Sequence, residues 1–331
     1  MDLPRLPNGN VTDDPNDETM SRRIRHFRIV LAVLVIISSS TAASVKGSRP
    51  TQLNGYKAAR VHYSPLNKMI MSVRINGQCA NLLVDTGSNQ VILDAASAES
   101  FGVRPSQRDL RYLQYTRING QLLPVGFAQS LIAGSMNFGS TLVTLRDSSH
   151  SYTGDTRVDG VFGLDLLIRY KAVINCRTKL IFFKVDRTRQ VDLSSVASAE
   201  KFTKIPLRRE ANGALTVPCL IYGRPARLLV DTGAFITIFH EAFLRSVGIS
   251  VKATRVSAHF ARGAARKVSA RQINDLKIGG FKMPPAKFGV TTLPNFTLLQ
   301  NSPRISGILG MDTLYNCHAI IDLDGMNLFL K

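Results

Sequence analysis

The sequence predicts an all-β protein of two lobes related by a pseudo-two-fold axis, preceded by a signal peptide or membrane anchor. Three observations carry this: short β-rich runs broken by turn residues, an internal repeat with the same acidic tripeptide in each copy, and a basic cluster leading into an apolar run near the N-terminus.

The chain has 331 residues and is 44% hydrophobic, enough for two domains with a substantial core. Lys plus Arg outnumber Asp plus Glu by 42 to 23, a formal charge of +19. The basic residues are scattered and no nucleic-acid motif accompanies them, so they are read as a solvated surface and no nucleic-acid partner is expected. Cys79, Cys176, Cys219 and Cys317 have no Cys-x-x-Cys spacing, and the histidines fall in no metal-ligand pattern, so no metal and no cofactor is expected. Four thiols in an exported protein allow three disulfide pairings, which the sequence does not rank.

Residues 1–28 are polar, then basic (Arg22, Arg23, Arg25, Arg28), and read as a disordered cytoplasmic segment. The apolar run from Ile29 trails through small residues to Ala43 and Val45. It has the three parts of an export signal, with cleavage after Ala43, and left uncleaved it serves as an anchor over 29–45. In both cases the basic flank stays cytoplasmic and the rest is exported, to the periplasm or the extracellular space. A linker follows over 46–58, then one lobe over 59–190, a Ser/Ala-rich linker over 191–204 and a second lobe over 205–331.

The two lobes repeat each other. Ile75-Asn76-Gly77-Gln78 precedes Leu82-Leu83-Val84-Asp85-Thr86-Gly87 as Ile221-Tyr222-Gly223-Arg224 precedes Leu228-Leu229-Val230-Asp231-Thr232-Gly233, at a constant offset of 146. Gly160-Val161-Phe162-Gly163-Leu164-Asp165 then matches Gly307-Ile308-Leu309-Gly310-Met311-Asp312 at an offset of 147, one loop insertion later. Ala172 to Asn175 matches Ala319 to Asp322, and an apolar strand closes each half. Each half also carries a hairpin, turning at Asn119-Gly120 in the first and near Arg262-Gly263 in the second. A Gly-interrupted strand pair follows each hairpin, Leu131 to Leu145 and Leu276 to Val290.

An apolar strand ending in Asp-Thr-Gly buries its stem and presents a carboxylate at a turn, where glycine permits close backbone approach or positive φ. One such Asp is usually a turn residue or a cap. Two copies brought together by a two-fold behave differently, because like charges about 3 Å apart raise one pKa strongly. The pair then shares one proton, and that state suits general acid-base activation of a water against a peptide carbonyl.

These residues resemble the pepsin-like and retropepsin-like aspartic peptidases. Asp85-Thr86-Gly87-Ser88 and Asp231-Thr232-Gly233-Ala234 match the family's active-site loops, and Val161-Phe162-Gly163 and Ile308-Leu309-Gly310 match the apolar-apolar-Gly element that threads beside them. The resemblance spans residues from about 60 to 331. It implies a bilobal acid-protease fold with Asp85 and Asp231 as the catalytic pair, Thr86 and Thr232 locking the loops across the lobes, and a hairpin flap over an extended peptide or protein substrate. Two candidate flaps, short halves and the lack of tryptophan look like two retropepsin units in tandem, a monomeric intramolecular pseudo-dimer. Ser88 is read as support for the site. Because Ala234 has no hydroxyl where Ser88 has one, Asp231 is expected to receive one hydrogen bond fewer and to titrate higher, giving a working pH less acidic than that of gastric enzymes.

The leading expectation is an aspartic endopeptidase. The alternative is a non-catalytic peptide- or envelope-binding module that keeps the fold, and a third arrangement pairs each half with the same half of another chain. No Gly-x-Ser-x-Gly elbow or phosphate-binding loop points elsewhere.

Overall fold

Ile174 lies opposite Ile321 where Val173–Asn175 pairs antiparallel with Ile320–Asp322. These residues are repeats of each other, so the pseudo-two-fold axis passes through the pair. Outward from it the order is the same on both sides: Leu180–Lys184 then Tyr56–Tyr63 in the first half, Asn327–Leu330 then Thr203–Pro206 in the second. The protein is described by a computed structural model over residues 52–65, 67–105, 115–118, 121–147, 151–153, 156–251, 257–259, 265–293 and 305–331.

The strand period of two explains how this shared sheet holds the lobes together. Ile174, Ile181, Phe183, Ile321, Leu328 and Leu330 face the main core, whereas Val173, Leu180 and Phe182 form a separate cluster packed by Leu53, Tyr56 and Leu193. Leu193 begins a helix, Leu193–Ala199, inside the expected linker 191–204. The Asp192 carboxylate caps it by accepting from Ser194 N–H and Ser195 N–H at 3.0 and 3.2 Å, so this connection is ordered and covers the sheet. The expected linker 46–58 likewise ends early, because the first strand starts at Tyr56. Ion pairs cross the lobes at the same sheet: Asp324 of the second half holds Lys171 at 2.6 Å and Lys184 at 2.5 Å, and the Lys184 side chain is only 4% exposed.

Each lobe then builds its own sheet from a hairpin. Met69–Ile75 and Gln78–Val84 turn at Asn76-Gly77, and Leu215–Ile221 and Arg224–Val230 turn at Tyr222-Gly223. Both central residues have positive φ in each turn, at 49° and 86° and at 47° and 73°, the geometry that matches strand twist in a two-residue loop. Gly160–Phe162 runs parallel beside Gln78–Val84, with Phe162 opposite Val84, and Ile305–Leu309 runs parallel beside Arg224–Val230, with Leu309 opposite Val230.

The two expected hairpins have paired strands: Tyr115–Ile118 with Gln121–Ala133, and Ser257–His259 with Ala265–Lys267. Their turn residues Asn119, Gly120, Arg262 and Gly263 lie outside the described residues. The strand pairs that follow differ between the lobes. Gln121–Ala133 pairs directly with Met136–Arg146, whereas Leu276–Ile278 pairs with Phe281–Lys282, and Ala286–Thr291 returns to Ser269–Ile273.

Among the described residues no helix is long and apolar enough to cross a membrane, and the segment 29–45 lies outside them. The four cysteines are free thiols, Cys79 exposed and the other three buried. Burial pushes Cys176 and Cys219 up to about 12 and Cys317 up to about 11, so they pack as inert side chains. No cluster of His, Cys, Asp or Glu suited to a metal occurs among the described residues.

Candidate active site

Asp85 and Asp231 sit where the parallel strand pairs end. In each lobe the Asp N–H donates to the last residue of the parallel neighbour, Asp85 to the Phe162 carbonyl and Asp231 to the Leu309 carbonyl, both at 3.1 Å. One turn later the neighbour is tied back, Leu164 N–H to the Ser88 carbonyl and Met311 N–H to the Ala234 carbonyl, both at 2.8 Å. The Asp-Thr-Gly loop and the apolar-apolar-Gly strand therefore form one unit per lobe, held in register by backbone bonds that are the same in both lobes.

The two units are locked by their threonines. The Thr86 hydroxyl donates to the Val230 carbonyl at 2.8 Å and accepts from Thr232 N–H at 3.0 Å. The Thr232 hydroxyl donates to the Val84 carbonyl at 2.8 Å and accepts from Thr86 N–H at 3.1 Å. Both threonines are fully buried, so the lock gives four backbone groups at the lobe boundary partners away from water.

This lock brings the carboxylates together. The two carboxyls come close enough for each to shift the titration of the other. Each glycine packs on the opposite carboxyl: a Cβ on Gly87 would stand 2.7 Å from Asp231 Cγ, and one on Gly233 2.5 Å from Asp85 Cγ. Close approach is thus what excludes a side chain here, since neither glycine has positive φ. Gly87 N–H donates to Asp85 Oδ1 at 2.7 Å, and Gly233 N–H and Ala234 N–H donate to Asp231 Oδ1 at 2.8 and 3.2 Å.

The electrostatics separate the two acids. Burial pushes the Asp85 carboxyl well above the ordinary range, and the charge of Asp231 and the hydrogen bond to it push further the same way. Burial also raises Asp231, but the donors from Asp85, Gly233, Ala234 and Gly87 oppose it. The two acids therefore titrate as a pair that shares a proton, above the ordinary carboxylate range. This corrects the expectation built on Ser88 and Ala234. The Ser88 hydroxyl donates to the Gln90 carbonyl at 3.1 Å, not to Asp85, so its replacement by Ala234 takes no bond from Asp231. The acid raised furthest is Asp85.

A second tier of residues steadies the loops. In the C-terminal lobe Thr237, fully buried, donates through its hydroxyl to Asp312 Oδ1 at 2.7 Å and accepts from Gly310 N–H at 3.0 Å. Asp312 also receives Thr237 N–H at 2.8 Å. In the N-terminal lobe Asp165 receives Val91 N–H at 3.1 Å, with no hydroxyl at position 91. Across the lobes, Asn89 Nδ2 donates to the Asn212 carbonyl at 2.7 Å. Asp165 and Asp312 stand at matching places in the repeat, a signal that pointed to a shared task. Asn89 gave none, because its partner lies in a loop of the other lobe.

Paired carboxyls at the pseudo-axis of two β lobes define a dicarboxylate site of the acid-protease type. The chain belongs to the Aspartyl protease family, whose sequence model matches residues 71–166 and 217–313, one segment in each lobe. No curated protein matches the chain. Among solved structures, an aspartic proteinase from Irpex lacteus is similar over 83% of this chain and 96% of its own, at 14% identity and a TM-score of 0.46. Basic 7S globulin from soybean is similar over 84% and 94%, at 11% identity and a TM-score of 0.46.

Proposed function

We propose that this protein is an aspartic endopeptidase in which one of Asp85 and Asp231, ionised, draws a proton from a water lodged between them while the other, protonated, donates one to the carbonyl oxygen of the scissile peptide bond. The reading is supported by one observation: two carboxyls, each packed on the glycine of the other lobe, stand at the ends of interlocked, symmetry-related loops. Such a pair activates water without a covalent intermediate. One chain supplies both acids, so a monomer suffices. Residues 29–45 lead the lobes across a membrane, where they act as a secreted or anchored enzyme; cell fractionation with and without that segment tests this placement.

The enzymatic claim is tested by digesting a peptide library with wild type, Asp85→Asn and Asp231→Asn. Cleavage by the wild type is expected, with rates lower by orders of magnitude in both variants. Peptide binding without cleavage by the wild type would instead favour the non-catalytic module.

A further inference from the structure

The pseudo-two-fold axis relates three positions whose charges do not match. Asn175 Oδ1 accepts from Arg177 N–H and Thr178 N–H, both at 3.0 Å, and Asp322 Oδ1 accepts from Asp324 N–H and Gly325 N–H, also at 3.0 Å. Arg177 and Asp324 therefore occupy the same place in equivalent turns. Lys171 and His318 are equivalent too, at φ 45° and 49°, with N–H groups bonded to the Ile168 and Tyr315 carbonyls. Lys184 and Lys331 complete the set, their N–H groups bonded to the Tyr170 and Cys317 carbonyls at 2.8 and 3.0 Å. On one side of the axis the three side chains form a balanced triad, with Asp324 between Lys171 and Lys184. On the other side Arg177, His318 and Lys331 are all basic. Desolvation and the charges of Arg177 and Lys331 together hold the His318 imidazole below its ordinary range. The Arg177 guanidinium lies 4.7 Å over the Tyr315 ring, Tyr315 meets Tyr63 edge-on at 5.4 Å, and Lys179 Nζ stands 5.9 Å from the Tyr63 ring. The two tyrosines thus join a fourth cation to the group. Among the described residues neither Arg177 nor Lys179 forms an ion pair with a carboxylate, and Lys331 meets the exposed Glu200 at 3.7 Å.

We infer that Arg177, His318 and Lys331, with Lys179 beside them, bind a phosphate group, carried either by free phosphate or by a lipid headgroup. Like charges held this close repel one another, and an external anion supplies the balance that Asp324 supplies in the other half. Stacking on Tyr315 limits the motion of the Arg177 guanidinium, whose fork of N–H donors fits two oxygens of one phosphate. The remaining oxygens are then within the charge field of His318 and Lys331, which reach the group from a different strand and helix end. The inference does not depend on the peptidase reading.

The test follows the His318 ring by NMR in the full chain, held in a non-ionic detergent, with the signal assigned by His318→Gln. Inorganic phosphate is added at constant ionic strength in one arm, and a short-chain, water-soluble phosphatidylglycerol in the other. Wild type is expected to give a saturable shift of the His318 signal in at least one arm, and Arg177→Gln to weaken that binding about tenfold. Arg224→Gln, beside the exposed turn of the second lobe's hairpin, removes the same charge elsewhere and is expected to leave the binding unchanged. Arg177→Asp installs the residue that the other half already carries at this place, so the fold has a precedent for it; it is expected to abolish the response and to raise the pH at which His318 titrates. Saturation by inorganic phosphate identifies a free-anion site, and saturation by the lipid alone identifies a headgroup site. No saturable response in either arm, or equal weakening by Arg177→Gln and Arg224→Gln, overturns the inference.

Discussion

At the scale of single residues, the paired acids tie stability and, on the peptidase reading, activity to pH. Asp85 has a native pKa raised above its unfolded value of about 3.9. A group raised in this sense supports folding fully below the unfolded value, and that support is lost as pH rises through the native value. Asp85→Asn removes the titration, so the variant is expected to gain stability relative to wild type between about pH 4 and pH 7, read as a widening difference in Tm. On the proposed peptidase reading activity needs the shared proton, so both limbs of the pH-rate profile are expected above those of ordinary carboxylates, and a maximum well below pH 4 would contradict this. The sequence made Asp85, Asp231 and their threonines legible because each appears twice in the same setting. The direction of the Ser88 hydroxyl was not legible, since a serine after Asp-Thr-Gly bonds equally well to a carboxylate or to a nearby carbonyl.

At the scale of elements, the two site loops share a backbone pattern but differ in how firmly side chains hold them. Thr237 has one hydroxyl hydrogen, given to Asp312, and lone pairs that receive Gly310 N–H. Thr237→Val leaves that buried N–H unpaired and the carboxylate one donor short, so a loss of about 1–3 kcal/mol is expected in urea unfolding. The N-terminal lobe carries Val91 at this place, so the fold itself tolerates the substitution. Hairpins at Asn76-Gly77 and Tyr222-Gly223 were readable from turn chemistry, and the strands from their apolar runs. The helix Leu193–Ala199 was hidden by its Ser and Ala content, which reads as linker; the one local sign was Asp192 two residues before Ser194, a helix cap.

At the scale of the whole molecule, the lobes are joined by a continuous sheet and by ion pairs whose charges are unevenly placed across the pseudo-axis. Asp324 serves both Lys171 and Lys184, while the matching position in the first half is Arg177. Asp324→Asn leaves the Lys184 ammonium buried without a counter-charge. A loss on the order of 3 kcal/mol is expected, at the low end for buried pairs because Asp324 is partly exposed; denaturant midpoints at low and high salt measure it. The repeat announced two lobes and a shared axis. It did not reveal that Asp324 pairs with Lys171 and Lys184, because long-range charge pairing follows from which turns meet, and a repeat offset does not specify that.

The strand Thr203–Pro206 is completed by Asn327–Leu330, and the loop of Asp231 is completed by Ile305–Leu309. A growing polypeptide therefore has no assembled pair of acids until Ile305–Leu309 and Asn327–Leu330 have been synthesised. Before that moment the loop of Asp231 has no folded neighbour to hold it, so the two carboxyls first meet when the second half closes.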